Sequence, residues 1–235
     1  MKKRFISILL IILVLFAGGC TSKETKHSFS IVFIDVGHGD AALVECDGKW
    51  MLIDSGDSNA GDRVYRVLED RRVRHLDILA ISHLDEDHIA GLPTALRNIT
   101  SIDLTLSNSF ESDKSFFKDV EHCLYESGAK RKVIPKEGNK YPLGSATIEI
   151  IDSSAADKND SLVLLITYNK TRFLFTGDIE QNRQQEIAQR LLNVKNKDSY
   201  VVDLIKVPHH GSFVGIGFLD VFTDRNEEKD MLLFL

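Results

Sequence analysis

The strongest signal for the fold and function of this chain is the stretch Ser82-His83-Leu84-Asp85-Glu86-Asp87-His88. It follows the apolar run 76–81, which has the composition of a buried strand, and it precedes a segment with helical periodicity. Side chains of the kinds that bind metals are concentrated here, and loops at the carboxyl ends of strands are where α/β folds commonly hold ligands. Imidazole nitrogens and carboxylate oxygens suit zinc, manganese or iron, although polar surface loops have a similar composition.

Two later segments have the same arrangement. Leu174-Phe175-Thr176-Gly177-Asp178 is an apolar strand that runs into Gly-Asp, and Ile205-Lys206-Val207-Pro208-His209-His210-Gly211 is one that runs into paired histidines. Strand ends that all offer His and Asp favour convergence on a single site. A carboxylate such as Asp178 can bridge two cations about 3.5–4 Å apart, which offsets the repulsion between them.

Strands and helices alternate along the chain. We expect strands at 31–36, 41–46, 50–54, 76–81, 102–106, 147–151, 162–168, 173–175 and 203–207, and helices at 62–69, 89–99, 116–126 and 179–192. The Asp47-Gly48 turn predicts an early hairpin, which argues against a purely parallel sheet. The pattern therefore predicts an α/β fold with two sheets face to face and helices outside.

The composition is that of a globular protein. The chain has 235 residues, of which 43% are hydrophobic and 27% charged, enough for one ordinary domain or two small ones. The net charge of −6 gives no sign of a broad basic face for nucleic acid. Cys46 and Cys123 have no zinc-motif spacing, so we interpret them as small buried hydrophobic residues.

The amino terminus has the features of a targeting segment. Three basic residues precede the apolar run 5–16, and Ala17-Gly18-Gly19-Cys20 follows it. The run is too short to span a bilayer, so it is typical of a secretory h-region. We expect a lipoprotein-type signal peptide at 1–20 with Cys20 lipidated, a tether at 21–28 and a domain at 29–235, anchored at the extracytoplasmic face of a bacterial membrane. A plain signal peptide with secretion, or an uncleaved anchor, is the alternative.

The motif His83-x-Asp85-x-Asp87-His88 resembles the His-x-His-x-Asp-His motif of the metallo-β-lactamase superfamily, with Asp85 in place of the second His. Further segments resemble the extracellular nuclease-like domain of the ComEC competence protein, in the right order and over about residues 29–212. They are Asp35-Val36-Gly37-His38-Gly39-Asp40, Leu52-Ile53-Asp54-Ser55-Gly56, Asn159-Asp160-Ser161-Leu162-Val163, Phe175-Thr176-Gly177-Asp178 and Pro208-His209-His210-Gly211-Ser212.

This resemblance implies an αββα sandwich of the metallo-β-lactamase fold that holds two divalent ions, zinc or manganese. His83 and Asp85 would bind one ion, Asp87 and His88 the other, with Asp178 bridging them. His209 would complete the ligand set, with His210 as the alternative at that position and otherwise a neighbour of the ligands.

The resemblance also implies roles around the ions. Asp40 would lie beside the metals, and Asp87 would also orient the attacking water and accept its proton. His38 stands where relatives often have Gln, and we interpret it as a surface residue.

Two departures from the family pattern matter. Superfamily hydrolases commonly have another metal-binding His in mid-chain, where this sequence offers Asn159, Asp160 and Ser161. Relatives also continue after Ser212 through further strands and a segment like Asn-x-Tyr-Gly-His-Pro. We therefore expect the last strands and one candidate catalytic His to be missing here. The apolar end 231–235 is expected either to pack on the uncovered sheet as a strand or to drive association.

The function expected from these features is an exported metal-dependent hydrolase. Its substrate would be a phosphodiester, either a DNA strand, single-stranded DNA included, or a phosphocholine-type wall polymer. The alternative is a truncated, non-catalytic exported protein of the same fold that binds metal or polymer. A two-lobed transport receptor would have no use for metal ligands at strand ends.

Overall fold

Two mixed sheets of six strands each form the centre of the molecule, described by a computed structural model over residues 27–153, 161–194, 200–212, 214–215, 217–223 and 232–234. The first sheet contains β1 Phe29–Phe33, β2 Ala42–Cys46, β3 Lys49–Ile53, β4 His75–Ile81, β5 Ser101–Ser107 and β6 Lys132–Val133. The second contains β7 Lys140–Leu143, β8 Ala146–Asp152, β9 Val163–Tyr168, β10 Thr171–Phe175, β11 Leu204–Lys206 and β12 Leu232–Phe234. Neighbouring strands in each sheet follow the order of the chain.

Each sheet is antiparallel at its start and parallel at its end. Strands β1 to β3 and β7 to β10 pair antiparallel, whereas β3 to β6 and β10 to β12 pair parallel. The carboxyl ends of β4, β10 and β11 are followed by the three segments that carry His and Asp.

Helices cover the outer faces of the two sheets. They are α1 Gly61–Asp70, α2 Glu86–Ile89, α3 Leu92–Ala95, α4 Phe117–Glu126 and α5 Gln181–Leu192. Apolar residues of the first four helices pack on the first sheet, those of α5 pack on the second, and a third cluster fills the space between the sheets. The predicted αββα sandwich is confirmed.

The single helix predicted at 89–99 is wrong. The segment contains the last residue of α2 and the whole of α3, with Ala90 and Gly91 between the two helices. The Gly91 amide donates to the Gly56 carbonyl at 3.0 Å, and a Cβ at Gly91 would lie 2.4 Å from the Ser55 carbonyl oxygen. This close approach of two backbones, followed by Pro93 at the start of α3, ends the first helix.

The strand β12 lies at the edge of the second sheet. It pairs with β11, and the Phe234 ring stacks on Phe33 with 4.0 Å between centroids. Of the two arrangements expected for the apolar end, Leu232–Phe234 therefore forms a strand, which lies at an edge of the sheet. Its side chains stay exposed. Met231 and Leu235 lie outside the described residues, as do the expected signal peptide and Cys20. Within the described part of the chain, no helix has the length and apolar character needed to cross a membrane.

Candidate metal centre

The side chains of Asp87 and His88 are placed by the short helix α2. Strand β4 ends at Ile81, Ser82 and His83 follow in buried positions, and Asp85 precedes the helix. A Cβ at Gly39 would lie 1.9 Å from the Asp87 carbonyl oxygen, so the glycine-rich loop 37–40 packs directly on this helix. The loop and the helix together bring Asp40 to the same end of the sandwich.

Four residues bring their ligand atoms together: Asp87, His88, Asp178 and His210 all offer an atom within 4.8 Å of the others. The shortest contacts are the two from Asp178 Oδ2, which lies 3.3 Å from both His88 Nε2 and His210 Nε2. Asp87 Oδ2 lies 3.7 Å from His88 Nε2 and 3.6 Å from His210 Nε2. The loop after β4, the end of β10 and the turn after β11 therefore converge at one place.

Buried polar atoms that make no hydrogen bond face this group. His88 Nε2, His210 Nε2 and Asp178 Oδ1 are buried and have no hydrogen-bond partner. Such atoms are costly unless something binds them. Two imidazoles and two carboxylates are a ligand set that zinc and manganese accept, so the residues present fit a divalent ion.

The turn Pro208–Gly211 places His210, and not His209, in this group. Both residues have positive φ, 49° and 51°, which is uncommon for non-glycine residues and clusters at functional sites. The His209 amide donates to the Gly177 carbonyl at 3.1 Å, which fixes the turn on the loop that carries Asp178. The geometry thus favours His210, the alternative at this position, over His209.

His83 and Asp85, the other predicted ligand pair, join no group of three or more ligands among the described residues. His83 is buried, and its Nδ1 contacts the Ser82 hydroxyl at 3.0 Å and the Ser161 hydroxyl at 3.2 Å. Its Nε2 lies 3.8 Å from Asp85 Oδ2. The Asp85 side chain is 53% exposed and pairs with Lys114. The structure brings His83 close to His88, with 4.1 Å between ring centroids, but leaves Asp85 at the surface.

Of the mid-chain candidates, Ser161 is described, whereas Asn159 and Asp160 lie outside the described residues. The Ser161 hydroxyl accepts from the Asp178 amide at 2.8 Å and contacts His83. It therefore links the Asp178 loop to the His83 loop.

Asp54 is a site residue to which no role was assigned from the sequence. It is buried, and its carboxylate accepts from the Ser82 amide at 2.8 Å and the Ser82 hydroxyl at 2.6 Å. Its Oδ2 also lies 3.0 Å from His88 Nδ1. A carboxylate behind an imidazole fixes the ring and raises the basicity of the opposite nitrogen. The segment Leu52-Ile53-Asp54-Ser55-Gly56 was part of the family resemblance, which is the one clue to this role.

Lys206 is the second residue with no predicted role. Its side chain is 4% exposed, and its Nζ lies 2.5 Å from Asp40 Oδ2 and 3.6 Å from Asp178 Oδ1. Asp40 lies beside the group, with its carboxylate 3.6 Å from His210 Nδ1 and 3.9 Å from His88 Nδ1. His38 is largely exposed, yet its Nε2 is 3.4 Å from Asp87 Oδ2.

These contacts set the protonation of the metal-free site. The neighbouring carboxylates of Asp178 and Asp87 raise the pKa of His210 to about 9, and the nearby His210 imidazole lowers the pKa of Asp87 to about 2. Burial lowers the pKa of His88, but the adjacent carboxylates of Asp178 and Asp54 outweigh it and hold that pKa well above its usual value. Burial, together with the charge of His88, lowers the pKa of His83 to about 4. A cation entering the site therefore replaces protons held by His88 and His210.

Known proteins resemble this chain in sequence. The family profile described as ODP family beta lactamase matches residues 38–228. ComE operon protein 3 of Bacillus subtilis (strain 168) is 26% identical over 224 residues, which cover 86% of this chain and 27% of that protein. Recombination protein 2 of Haemophilus influenzae is 26% identical over 210 residues, 86% of this chain and 24% of that protein. The chain thus spans about a quarter of the length of these relatives.

Solved structures share the fold. The Rm3 metallo-beta-lactamase superposes with a TM-score of 0.53 at 12% identity, covering 83% of each chain. A Cronobacter sakazakii metallo-beta-lactamase with a HARLDQ motif gives 0.53 at 14% identity, covering 83% of this chain and 84% of that one. The predicted resemblance is therefore confirmed: this chain belongs to the ODP family of beta lactamases and has the metallo-beta-lactamase fold.

Proposed function

We propose that this protein is a divalent-metal-dependent hydrolase that cleaves phosphodiesters. The observation that carries the proposal is the convergence of Asp87, His88, Asp178 and His210, whose buried atoms without a hydrogen bond fit a cation. Membership of a fold family of metal-dependent hydrolases agrees with it. Zinc or manganese suits the donor set, and an ion bound there would act as a Lewis acid and lower the pKa of water toward ~7.

The chain's own residues have distinct parts in this proposal. Asp87 is the most exposed carboxylate of the group, so it would face the substrate, orient the attacking water and accept its proton. Asp54 holds the His88 ring through Nδ1, which leaves Nε2 directed at the group. Lys206 and Asp40 form an ion pair behind Asp178 and keep its carboxylate in place.

The substrate class is the finer part of the proposal. Anionic phosphodiester oxygens suit a cationic centre, and DNA strands and phosphocholine-type wall polymers both contain such linkages. One relative's name refers to recombination, a process that acts on DNA, which favours a DNA strand, single-stranded DNA included, as the first substrate to test.

The test is hydrolysis of bis(p-nitrophenyl) phosphate and of single-stranded DNA by the protein loaded with zinc or manganese. Asp87→Asn should lower kcat by about 100-fold or more, because it removes the proton acceptor and a ligand charge. Asp113→Asn, at an exposed carboxylate of the β5–α4 loop, is the matched control and should keep wild-type rates. Metal binding without hydrolysis of either substrate would reject the enzyme and favour the non-catalytic binding protein.

We also propose export and lipid anchoring through Cys20. The support is the sequence alone: a basic start, an apolar run and small residues before the cysteine. Cells that express the protein should incorporate a fatty-acid probe into it, and Cys20→Ser should lose the label, whereas Cys46→Ser should keep it. Persistent labelling of Cys20→Ser would reject this anchor.

A further inference from the structure

A lysine lies buried at the centre of the site. The Lys206 side chain is 4% exposed, in β11, with Asp40 and Asp178 as the carboxylates around its ammonium group. A buried charge is stable only when it is paired, and here the two carboxylates stabilise the positive charge of the ammonium group. A hydrogen bond also fixes the backbone of Lys206, because its carbonyl accepts from the Thr176 hydroxyl at 2.6 Å.

Lys206 reaches a second group of candidate ligands. Asp40, Asp54 and His88 offer atoms within 4.8 Å of one another, next to the group that contains Asp87 and His210. By composition this second group would attract a metal ion. Its Asp40 already contacts the Lys206 ammonium at 2.5 Å, however, so a cation of the protein itself occupies this side of the centre.

The other half of the predicted two-ion site is also engaged. His83 Nδ1 contacts two serine hydroxyls, and Asp85 pairs with the Lys114 ammonium at the surface. Within the described residues only the first group combines four ligands, and its Asp178 has its Oδ2 on the histidines and its Oδ1 toward Lys206.

We propose that Lys206 takes the place of a second metal ion, so that this centre binds one divalent ion through Asp87, His88, Asp178 and His210. In this arrangement Asp178 lies between a metal ion and an ammonium group instead of between two metal ions. A second divalent ion would be repelled by the ammonium and would find its carboxylates already paired. Lys206 is thus a positioning residue. The proposal rests on the metal dependence proposed above.

The first experiment counts ions in the 235-residue protein, so that residues 154–160 are present. The chelator-treated protein is titrated with Co²⁺ by calorimetry and by its visible absorption, and zinc content is measured after dialysis. Wild type and His83→Ala should each bind one ion per chain with similar affinity. His88→Ala should bind at least ~100-fold more weakly. Two tightly bound ions in the wild type, one of them lost in His83→Ala, would overturn the proposal.

The second experiment removes the ammonium. Lys206→Gln should take up a second Co²⁺ ion and change the visible spectrum, because Asp40 and Asp178 lose their cation. Lys140→Gln removes an exposed ammonium from Glu149, outside the candidate ligand groups, and is the matched control, for which one ion is expected. A second ion in Lys140→Gln, or no second ion in a folded Lys206→Gln, would show that Lys206 is not the residue that excludes the second ion. The wild-type count decides the ion number even if Lys206→Gln does not fold.

These outcomes separate the two proposals. Two ions with phosphodiesterase activity would leave the proposed function intact and reject the role of Lys206. A protein that binds no ion would reject both. One ion without hydrolysis would support the role of Lys206 and reject the enzyme.

Discussion

His88 is the residue on which the site depends most, because it lies fully buried between Asp54 and Asp178. Its place in the site could be predicted from the sequence, because the cluster of His and Asp after a buried strand lies within one short segment. The parts of Asp54 and Lys206 could not, because each lies far along the chain from its partners and acts through tertiary contacts. The choice of His210 over His209 depends on two backbone φ angles that the residue types do not determine.

We expect Asp54→Asn to weaken zinc binding by roughly 10- to 100-fold while the fold persists, because the carboxylate that orients His88 loses its charge. Competition against a chelator of known affinity measures this. Asp62→Asn, which removes a surface carboxylate paired with Arg97, is the control and should bind zinc like the wild type. Equal affinities in the two variants would show that Asp54 does not support the metal group.

His210 contributes to the pH dependence of stability in the metal-free protein. Its pKa is raised from 6.5 to about 9 on folding, so its contribution is fully present below pH 6.5 and is lost as the pH rises through about 9. The difference in Tm between wild type and His210→Gln, in chelator, should therefore be larger at pH 6 than at pH 10. His122→Gln, at an exposed histidine, should give no such trend. A difference that stays constant with pH would contradict this assignment.

At the scale of elements, the loop 37–40 is held against α2 by a glycine. Gly39 has φ +108°, and a Cβ there would lie 1.9 Å from the Asp87 carbonyl oxygen, whereas Gly37 has φ +80° and open space around it. We expect Gly39→Ala to destabilise the fold by more than Gly37→Ala, which pays only a conformational cost of about 1 kcal/mol. Gly39→Ala should also weaken zinc binding, because Asp87 must move. Urea unfolding and zinc competition measure both, and equal effects of the two variants would contradict the packing described.

Most elements were predictable because their apolar periodicity is strong, as in β4, β9 and α4. The helix at 89–99 was mispredicted because the contact of Gly91 with Gly56 is tertiary and leaves no trace in the local pattern. The strands β6 and β7 were missed because they are short and polar, and β7 contains Pro142.

At the scale of the whole molecule, the space between the sheets is filled by side chains such as Ile148, which is fully buried. Ile148→Ala should lower the free energy of unfolding by about 2–5 kcal/mol, through lost burial and the cavity left behind. Leu192→Ala, on the exposed side of α5, should change it by less than about 0.5 kcal/mol. Denaturant unfolding checks both values, and a small effect of Ile148→Ala would mean that the sheets do not pack as described.

The order of the strands has a consequence for how the molecule can be divided. The first half of the chain builds one sheet and supplies Asp87 and His88, and the second half builds the other and supplies Asp178 and His210. An ion held by all four would therefore join two separable pieces. Cut after Lys136, in the turn before β7, fragments 1–136 and 137–235 should reassemble, and more tightly when zinc is present. Such a pair would work as a metal-controlled switch, in which bound zinc holds the two fragments together in place of the cleaved peptide bond.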